Sequence, residues 1–192
     1  MGLTAQYVPV DDQTLAELLT LTGDALCSSL RSSTPSISSV EQASLLAARF
    51  SRVYDRYVEI EDDLYGTPGH YDMDTGWDGL HFLLTGTSAW SPADDPLSEA
   101  VLGVHQVCDD PWISCTKADE LVLRVAALRA VDLDGMLRAV DFQAFTDHGI
   151  YPAVWSDDPA RLRSGLATHF YGLLTAYEAV LGTGQHVLVQ IG

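Results

Sequence analysis

The C-terminal segment of the chain, His186 to Ile191, constrains the fold more than any other part of the sequence. It reads H-V-L-V-Q-I and is almost continuously apolar. A strand with one face in water alternates apolar and polar side chains, whereas a strand covered on both faces does not. The segment therefore predicts a central strand with helices on both sides, and we expect it to lie beside a second apolar segment, Leu3 to Val10.

Amphipathic helices are predicted along most of the chain. The longest runs from about Val40 to Leu64, and its apolar residues step by four and three positions, the period of one buried helix face. These apolar residues are Leu46, Phe50, Val53, Tyr57, Ile60 and Leu64. A second long helix is predicted from Asp158 to Leu181. We expect both helices and the C-terminal strand to share one interior.

Shorter elements are predicted from capping residues and glycines. Helices are expected from Asp11 or Asp12 to Leu21, from Asp74 or Thr75 to Gly86, from Asp94 or Asp95 to Gly103, from Thr116 to Arg129 and from Asp132 onward, with a short strand at Trp112 to Cys115 and an extended segment at Tyr151 to Trp155. Together the elements predict an α/β fold of the α+β type, in which several helices pack a modest mixed β-sheet that contains the N- and C-terminal strands.

A length of 192 residues is within the usual size of one domain, so residues 1–192 are predicted to form a single domain. Seven of the twelve residues from Ser28 to Ser39 are serine. Such a composition buries too little apolar surface to offset the entropy of ordering, which predicts a mobile loop inside the domain.

The charge of the chain narrows the classes of partner. Ten Lys and Arg stand against 27 Asp and Glu, which gives a formal net charge of −17 and a pI near 4.3. Nucleic acids and anionic membranes are bound through Lys and Arg, so neither is predicted as a partner. A basic protein would be attracted by this charge, and it is the partner class that the composition favours.

The cysteines and the N-terminal residues predict a compartment. Cys27, Cys108 and Cys115 are odd in number and contain no C-x-x-C pair, which favours a reducing compartment over a disulfide framework. Residues 1–12 lack the basic and apolar regions of a signal peptide. No apolar run approaches the roughly eighteen residues of a membrane span. A soluble, cytoplasmic protein is predicted.

No metal or cofactor is predicted. His105, Cys108 and Cys115 supply three potential zinc ligands, whereas a structural zinc site has four, usually in tightly spaced pairs. The sequence also lacks a phosphate-binding loop, a dinucleotide-binding glycine motif in the correct context and a nucleophile elbow. Whether the protein is an enzyme stays open.

The densest group of polar residues predicts one candidate pocket. Trp77 and His81 are four residues apart and would share one helix face, with Asp74 and Asp78 nearby and Tyr151 as a further aromatic wall. In one interpretation His81 carries a proton or binds a ligand in a cleft, with one of the two carboxylates as its partner. In the other, Trp77 anchors the core and His81 bonds a backbone carbonyl.

Two hypotheses for function follow. The first is a small acidic binding protein, of an immunity or regulatory type, that docks a basic protein. The alternative is an enzyme or ligand-binding protein for a small molecule, with a cleft lined by Trp77, His81 and Tyr151. The sequence favours binding over catalysis because it contains no recognisable catalytic constellation.

The chain resembles a known family from end to end, and the resemblance is specific in the middle third. The segment Trp77 to Gly86 (W-D-G-L-H-F-L-L-T-G), followed by Asp95 to Gly103, is similar to the YfbM-like proteins, a bacterial family of unknown function. The resemblance implies an α/β arrangement with helices around a modest mixed sheet, and it implies no activity. The chain departs from the smaller members at Ser28 to Tyr65, where residues 40–65 are predicted to be a helical expansion.

Overall fold

The computed structural model describes residues 2–22, 40–92, 94–109 and 112–192, and for residues 22, 40–50 and 109 it describes the backbone alone. The predictions for Cys27 and the serine-rich segment, and the predicted burial of Leu46 and Phe50, lie outside this description. Whether residues 40–65 are an expansion within the family, and whether the chain is a single domain, stay predictions.

The described elements alternate helices and short strands. The helices are α1 (Asp12–Thr22), α2 (Val40–Leu64), α3 (Trp77–Thr85), α4 (Pro96–Leu102), α5 (Leu121–Arg129), α6 (Leu133–Ala139), α7 (Phe142–Asp147) and α8 (Pro159–Val180). The strands are β1 (Ala5–Val10), β2 (Tyr71–Asp74), β3 (His105–Asp109), β4 (Trp112–Thr116) and β5 (His186–Ile191). None of the helices in these ranges combines the length and hydropathy that a bilayer crossing requires.

The strands form one sheet in the order β2-β1-β5-β4-β3. β5 is central, pairs with β1 from Ala5↔Ile191 to Val10↔His186, and is buried along its whole length, as the sequence predicted. The α+β class is confirmed. The prediction of a mixed sheet is wrong, because all four strand pairings are antiparallel. The short connection between β3 and β4 permits only this direction for that pair.

Helices cover both faces of the sheet, and the sheet separates two apolar clusters. Tyr7 on β1 and Val189 on β5 face a cluster that includes residues of α3, α5 and α8. Their neighbours Val8 and Leu188 face a second cluster with residues of α1 and α2. The prediction that α2 and α8 share one interior is therefore wrong. Alternate side chains of a strand point to opposite faces, so the central strands contribute to both layers.

Helix boundaries follow the capping signals at some positions and not at others. Asp95, Asp132 and Asp158 cap α4, α6 and α8 through side-chain hydrogen bonds, as predicted. The predicted cap of α3 at Asp74 or Thr75 is wrong, because α3 follows Gly76 without a side-chain cap. Thr116, predicted to cap α5, instead ends strand β4 and is fully buried.

Two strands and one turn differ from the sequence-based expectation. β2 and β3 lie in segments for which no strand was predicted. The segment from Tyr151 to Trp155, predicted to be extended, forms bends and a turn and contains a cis peptide bond between Tyr151 and Pro152. This turn brings the chain back toward the start of α3.

Two glycines of α8 are expected to respond oppositely to alanine. At Gly172 an added Cβ would meet the ring of Tyr71 closer than side chains normally approach, whereas at Gly165 it would meet no atom within 4 Å. We expect Gly172→Ala to lower the free energy of unfolding by about 1 to 3 kcal/mol through overpacking. Gly165→Ala should raise it by about 0.5 to 1 kcal/mol, because alanine favours the helix. Urea unfolding of both variants tests this, and equal effects would contradict it.

Candidate functional site

Trp77, the first residue of α3, is a core residue. Its side chain is 1% exposed, and its Nε1 donates a hydrogen bond to the backbone oxygen of Leu3 at 3.2 Å. Its ring contacts those of Trp90 and Tyr151, with centroid separations of 5.8 and 6.2 Å. The indole therefore anchors the N-terminal segment and two loops, in agreement with the second interpretation that the sequence left open.

Asp78 is a fully buried carboxylate that joins three segments of the chain. Its Oδ1 accepts a hydrogen bond from the backbone N–H of Ala89 at 3.0 Å, and its Oδ2 accepts one from the N–H of Tyr151 at 2.9 Å. Both oxygens are therefore engaged by backbone donors from different loops. This geometry indicates a structural clamp, since a buried charge is stable only when it is hydrogen-bonded.

His81 has no exposed surface. Its Nδ1 lies 2.9 Å from the carbonyl oxygen of Thr87, and its Nε2 lies 2.8 Å from Oγ of Ser98. A carbonyl oxygen can only accept, so Nδ1 carries the proton and Nε2 of the neutral ring accepts from the Ser98 hydroxyl. Burial lowers the pKa of His81, although the Thr87 carbonyl and the charges of Asp78 and Asp95 oppose this shift.

The proposed pocket residues do not converge on one cleft. The structure brings Trp77, Asp78 and Tyr151 together, but Asp74 lies on the surface, where its φ of 54° is one that aspartate tolerates. Among the described residues, no carboxylate is within hydrogen-bonding distance of His81. The role of His81 as a solvent-accessible proton carrier therefore has no support in the geometry.

The three potential zinc ligands, His105, Cys108 and Cys115, lie in different environments. His105 is exposed, and its Nε2 lies 2.7 Å from a carboxylate oxygen of Glu120, whereas Cys108 and Cys115 are buried. Burial raises the pKa of the Cys115 thiol to about 12, which opposes the thiolate form that zinc requires. Within the described residues, no group of three His, Cys, Asp or Glu is arranged to hold a metal.

Charge segregation along the chain identifies a surface that the motif analysis missed. Residues 57–116 contain no Lys or Arg, and their acidic residues are Glu59, Glu61, Asp62, Asp63, Asp72, Asp74, Asp78, Asp94, Asp95, Glu99, Asp109 and Asp110. Five of these lie at the end of α2 and in β2, and we call them the acidic edge: Glu61, Asp62, Asp63, Asp72 and Asp74. A count of charges by segment would have found this pattern in the sequence.

The two halves of the acidic edge are adjacent in the fold. Gln6 pairs with Asp72 across β1 and β2, and its amide nitrogen lies 3.5 Å from a carboxylate oxygen of Glu61. Burial raises the pKa of Tyr57, and the charges of Glu61 and Asp72 raise it further. Glu61 and Asp72 therefore lie close to the same phenol although they belong to different elements.

The imidazole of His70, which carries a positive charge when protonated, contacts the acidic edge. Its Nε2 lies 3.4 Å from Oε1 of Glu61, within ion-pair distance but without the geometry of a hydrogen bond. We regard the contact as weak, because an ion pair at that distance also requires a protonated imidazole. In the part of the chain that the structure describes, the acidic edge therefore keeps most of its charge uncompensated.

The acidic residues at the end of α2 are unfavourable for the helix itself. α2 has no basic residue in its last turn, and Glu61, Asp62 and Asp63 occupy its negative end. Carboxylates at that end destabilise a helix by about 0.3 to 1 kcal/mol each when they are exposed. Asp62 and Asp63 are exposed, and neither forms an ion pair with any described residue. Their position is therefore not explained by the stability of the fold.

The chain is similar to proteins of one family along nearly its whole length. The family model described as a domain of unknown function, DUF1877, matches residues 1–190. Protein YfbM of Escherichia coli (strain K12) is 35% identical over 137 residues, which cover 69% of this chain and 81% of YfbM. The crystal structure of YfbM from Escherichia coli, a protein of unknown function, matches with a TM-score of 0.71 and 26% identity, covering 98% of this chain and 99% of that chain. The resemblance seen in the sequence is thus confirmed, and the chain belongs to the DUF1877 family.

Proposed function

We propose that this protein is a cytoplasmic binding protein, of an immunity or regulatory type, that docks a basic protein on its acidic edge. The observation that carries the proposal is the placement of Asp62 and Asp63 at the negative end of α2. Residues that destabilise the helix on which they lie are most simply explained by a role in binding. The net charge of −17 supports the same class of partner and disfavours nucleic acids and anionic membranes.

An alternative explanation of the acidic edge is protection against aggregation. β2 is the last strand at one side of the sheet, and Asp72 and Asp74 are exposed on it. Charged side chains on edge strands prevent unwanted pairing between sheets. This explanation accounts for the two β2 residues but not for Asp62 and Asp63, which lie on a helix.

Two variants of equal charge test the docking proposal. The edge variant carries Asn at 62, 63, 72 and 74, and the control variant carries Asn at the exposed positions 94, 119, 134 and 147, so each has a net charge of −13 instead of −17. A protein captured by the parent chain from an extract of its native cells would be identified by mass spectrometry and purified. Its Kd for each variant would then be measured by calorimetry at several salt concentrations.

We expect the edge variant to lose about tenfold or more in affinity, or about 1.4 kcal/mol, and the control variant to lose about twofold or less. The affinity of the parent should fall steeply as salt rises. Equal losses in both variants, or binding that is indifferent to salt, would contradict a specific acidic docking surface. Aggregation of the edge variant with unchanged affinity would support the protective role instead.

A further inference from the structure

A cavity lies beside α8, and none of the predicted pocket residues Trp77, Asp78 and His81 lines it; we call it the α8 cavity. It has a volume of about 280 Å³ and is lined by the first half of α8 and by the loops that precede α3 and α8. On α8, Arg161, Gly165 and His169 follow one another at four-residue intervals and therefore share the helix face that lines the cavity. The buried indole of Trp155 lines it as well.

Gly165 is the position at which the helix leaves room for a ligand. A Cβ added there would meet no atom within 4 Å, so the space above the helix at this residue is open. A glycine in a helix interior costs stability relative to alanine. The small volume of the cavity, near the lower end of the range for ligand pockets, limits the ligand to a small molecule.

His169 is fixed at one side of the cavity. Its Nδ1 lies 3.3 Å from the hydroxyl of Tyr71, and its ring lies directly over Gly76, where no side chain would fit. Burial lowers the pKa of His169, and the charges of Asp74 and Asp72 oppose this shift. The imidazole is thus held in place by neighbouring residues and shapes the cavity wall.

The rim of the cavity carries one charge of each sign. Arg161 and Asp157 both line it and are both exposed. Among the residues that the structure describes, neither forms an ion pair with the other or with any third residue. By contrast, the guanidinium of Arg129, which is also exposed, forms an ion pair with Glu178. A guanidinium and a carboxylate are therefore both available to a ligand at one opening.

We propose that this cavity binds a small zwitterion of the amino-acid type with an apolar side chain. The ligand's carboxylate would accept hydrogen bonds from Arg161, which has the planar donor geometry for this group. Its ammonium group would donate to Asp157, and its side chain would pack against Trp155 and Leu162. A zwitterion also avoids the repulsion that a simple anion meets from a chain with a net charge of −17.

A set of three probes with the same apolar group tests the charge requirement. L-phenylalanine carries both charges, 3-phenylpropionate carries only the carboxylate and phenethylamine carries only the ammonium group. Calorimetric titration of the full chain should show binding of L-phenylalanine, or of a second zwitterion such as L-leucine if the aromatic ring is too large. We expect each single-charge probe to bind at least about tenfold more weakly than its parent zwitterion.

Three variants locate the site. Gly165→Leu should abolish binding, because the new side chain fills the cavity from a position with no neighbouring atom within 4 Å, and the fold should be retained. Arg161→Gln and Asp157→Asn should each weaken binding about tenfold. The matched controls Arg138→Gln and Asp134→Asn remove exposed charges on α6 and should leave affinity unchanged.

Several results would overturn this proposal. The proposal would be wrong if calorimetry showed no binding of any amino acid at concentrations up to about 10 mM, because binding weaker than this is not specific. Equal binding of a single-charge probe would exclude the zwitterion as the ligand class. Binding retained by a folded Gly165→Leu variant would place the ligand elsewhere. None of these experiments uses the acidic-edge variants, so either proposal can be contradicted without affecting the other.

Discussion

Replacing Asp78 with alanine is expected to lower the free energy of unfolding by about 3 to 5 kcal/mol. The carboxylate has no exposed surface and accepts hydrogen bonds from the backbone N–H groups of Ala89 and Tyr151. Alanine leaves both donors buried without a partner, at about 1 to 3 kcal/mol each, and leaves a small cavity. Urea unfolding should show a lower midpoint with an unchanged m value.

Two further substitutions separate the clamp from the charge. Asp78→Asn keeps the size and one acceptor oxygen, so it should lose about 1 to 3 kcal/mol, less than alanine. Asp74→Asn removes a nearby exposed carboxylate and should change stability by about 0.5 kcal/mol or less. A loss of less than about 1 kcal/mol in the free energy of unfolding for Asp78→Ala would show that the N–H groups of Ala89 and Tyr151 find other hydrogen-bond acceptors. The assignment of Asp78 as a structural clamp would then be wrong.

The clamp affects how any test of function is interpreted. Tyr151 is tied to α3 by Asp78, and the same loop continues to Trp155 in the wall of the α8 cavity. An Asp78 variant could therefore lose ligand affinity because this loop is released, without Asp78 contacting a ligand. For this reason we expect Arg161 and Gly165 variants, which leave the clamp intact, to report on binding more directly.

The sequence was sufficient for those parts of the fold that are set by continuous apolar patterns. β5 was predicted as the central strand because its side chains are apolar on both faces, and α8 was predicted from its stripe and from Asp158 with Pro159. β2 was missed because four residues with two aspartates do not resemble a strand. Its pairing depends on β1 and on the close approach of α8 at Gly172, which only the tertiary fold supplies.

The candidate site shows where spacing stops being informative. The four-residue interval from Trp77 to His81 correctly predicted a shared helix face, but spacing does not say whether that face points inward. The partners that satisfy His81 are Thr87 and Ser98, which the chain brings together only through the turn after α3 and the packing of α4. The interval from Arg161 to His169 was equally visible in the sequence, but the opposite wall with Trp155 was not.

Acidification from neutral pH to about pH 5 is expected to destabilise the protein because of two histidines whose pKa is lowered by burial, His81 and His169. Burial lowers the pKa of His81 below the ordinary value of 6.5, and burial also lowers the pKa of His169. In the unfolded chain both imidazoles bind a proton as the pH falls through about 6.5, whereas the folded state resists protonation until its lower pKa is reached. Stability should therefore fall with pH in this window by up to about 1.4 kcal/mol per unit for each histidine.

The variant His81→Gln tests whether the fold holds the His81 ring in its neutral form. A glutamine amide can donate to the Thr87 carbonyl and accept from Ser98, so the fold should persist at neutral pH with a loss of about 1 to 3 kcal/mol. The slope of unfolding free energy against pH should be smaller in His81→Gln than in the parent chain. In the folded parent, the NMR signal of the His81 ring should show that the imidazole is protonated only below the ordinary value of 6.5. A ring that titrates at 6.5 or above, or an unchanged slope in His81→Gln, would show that His81 is not held neutral by the fold.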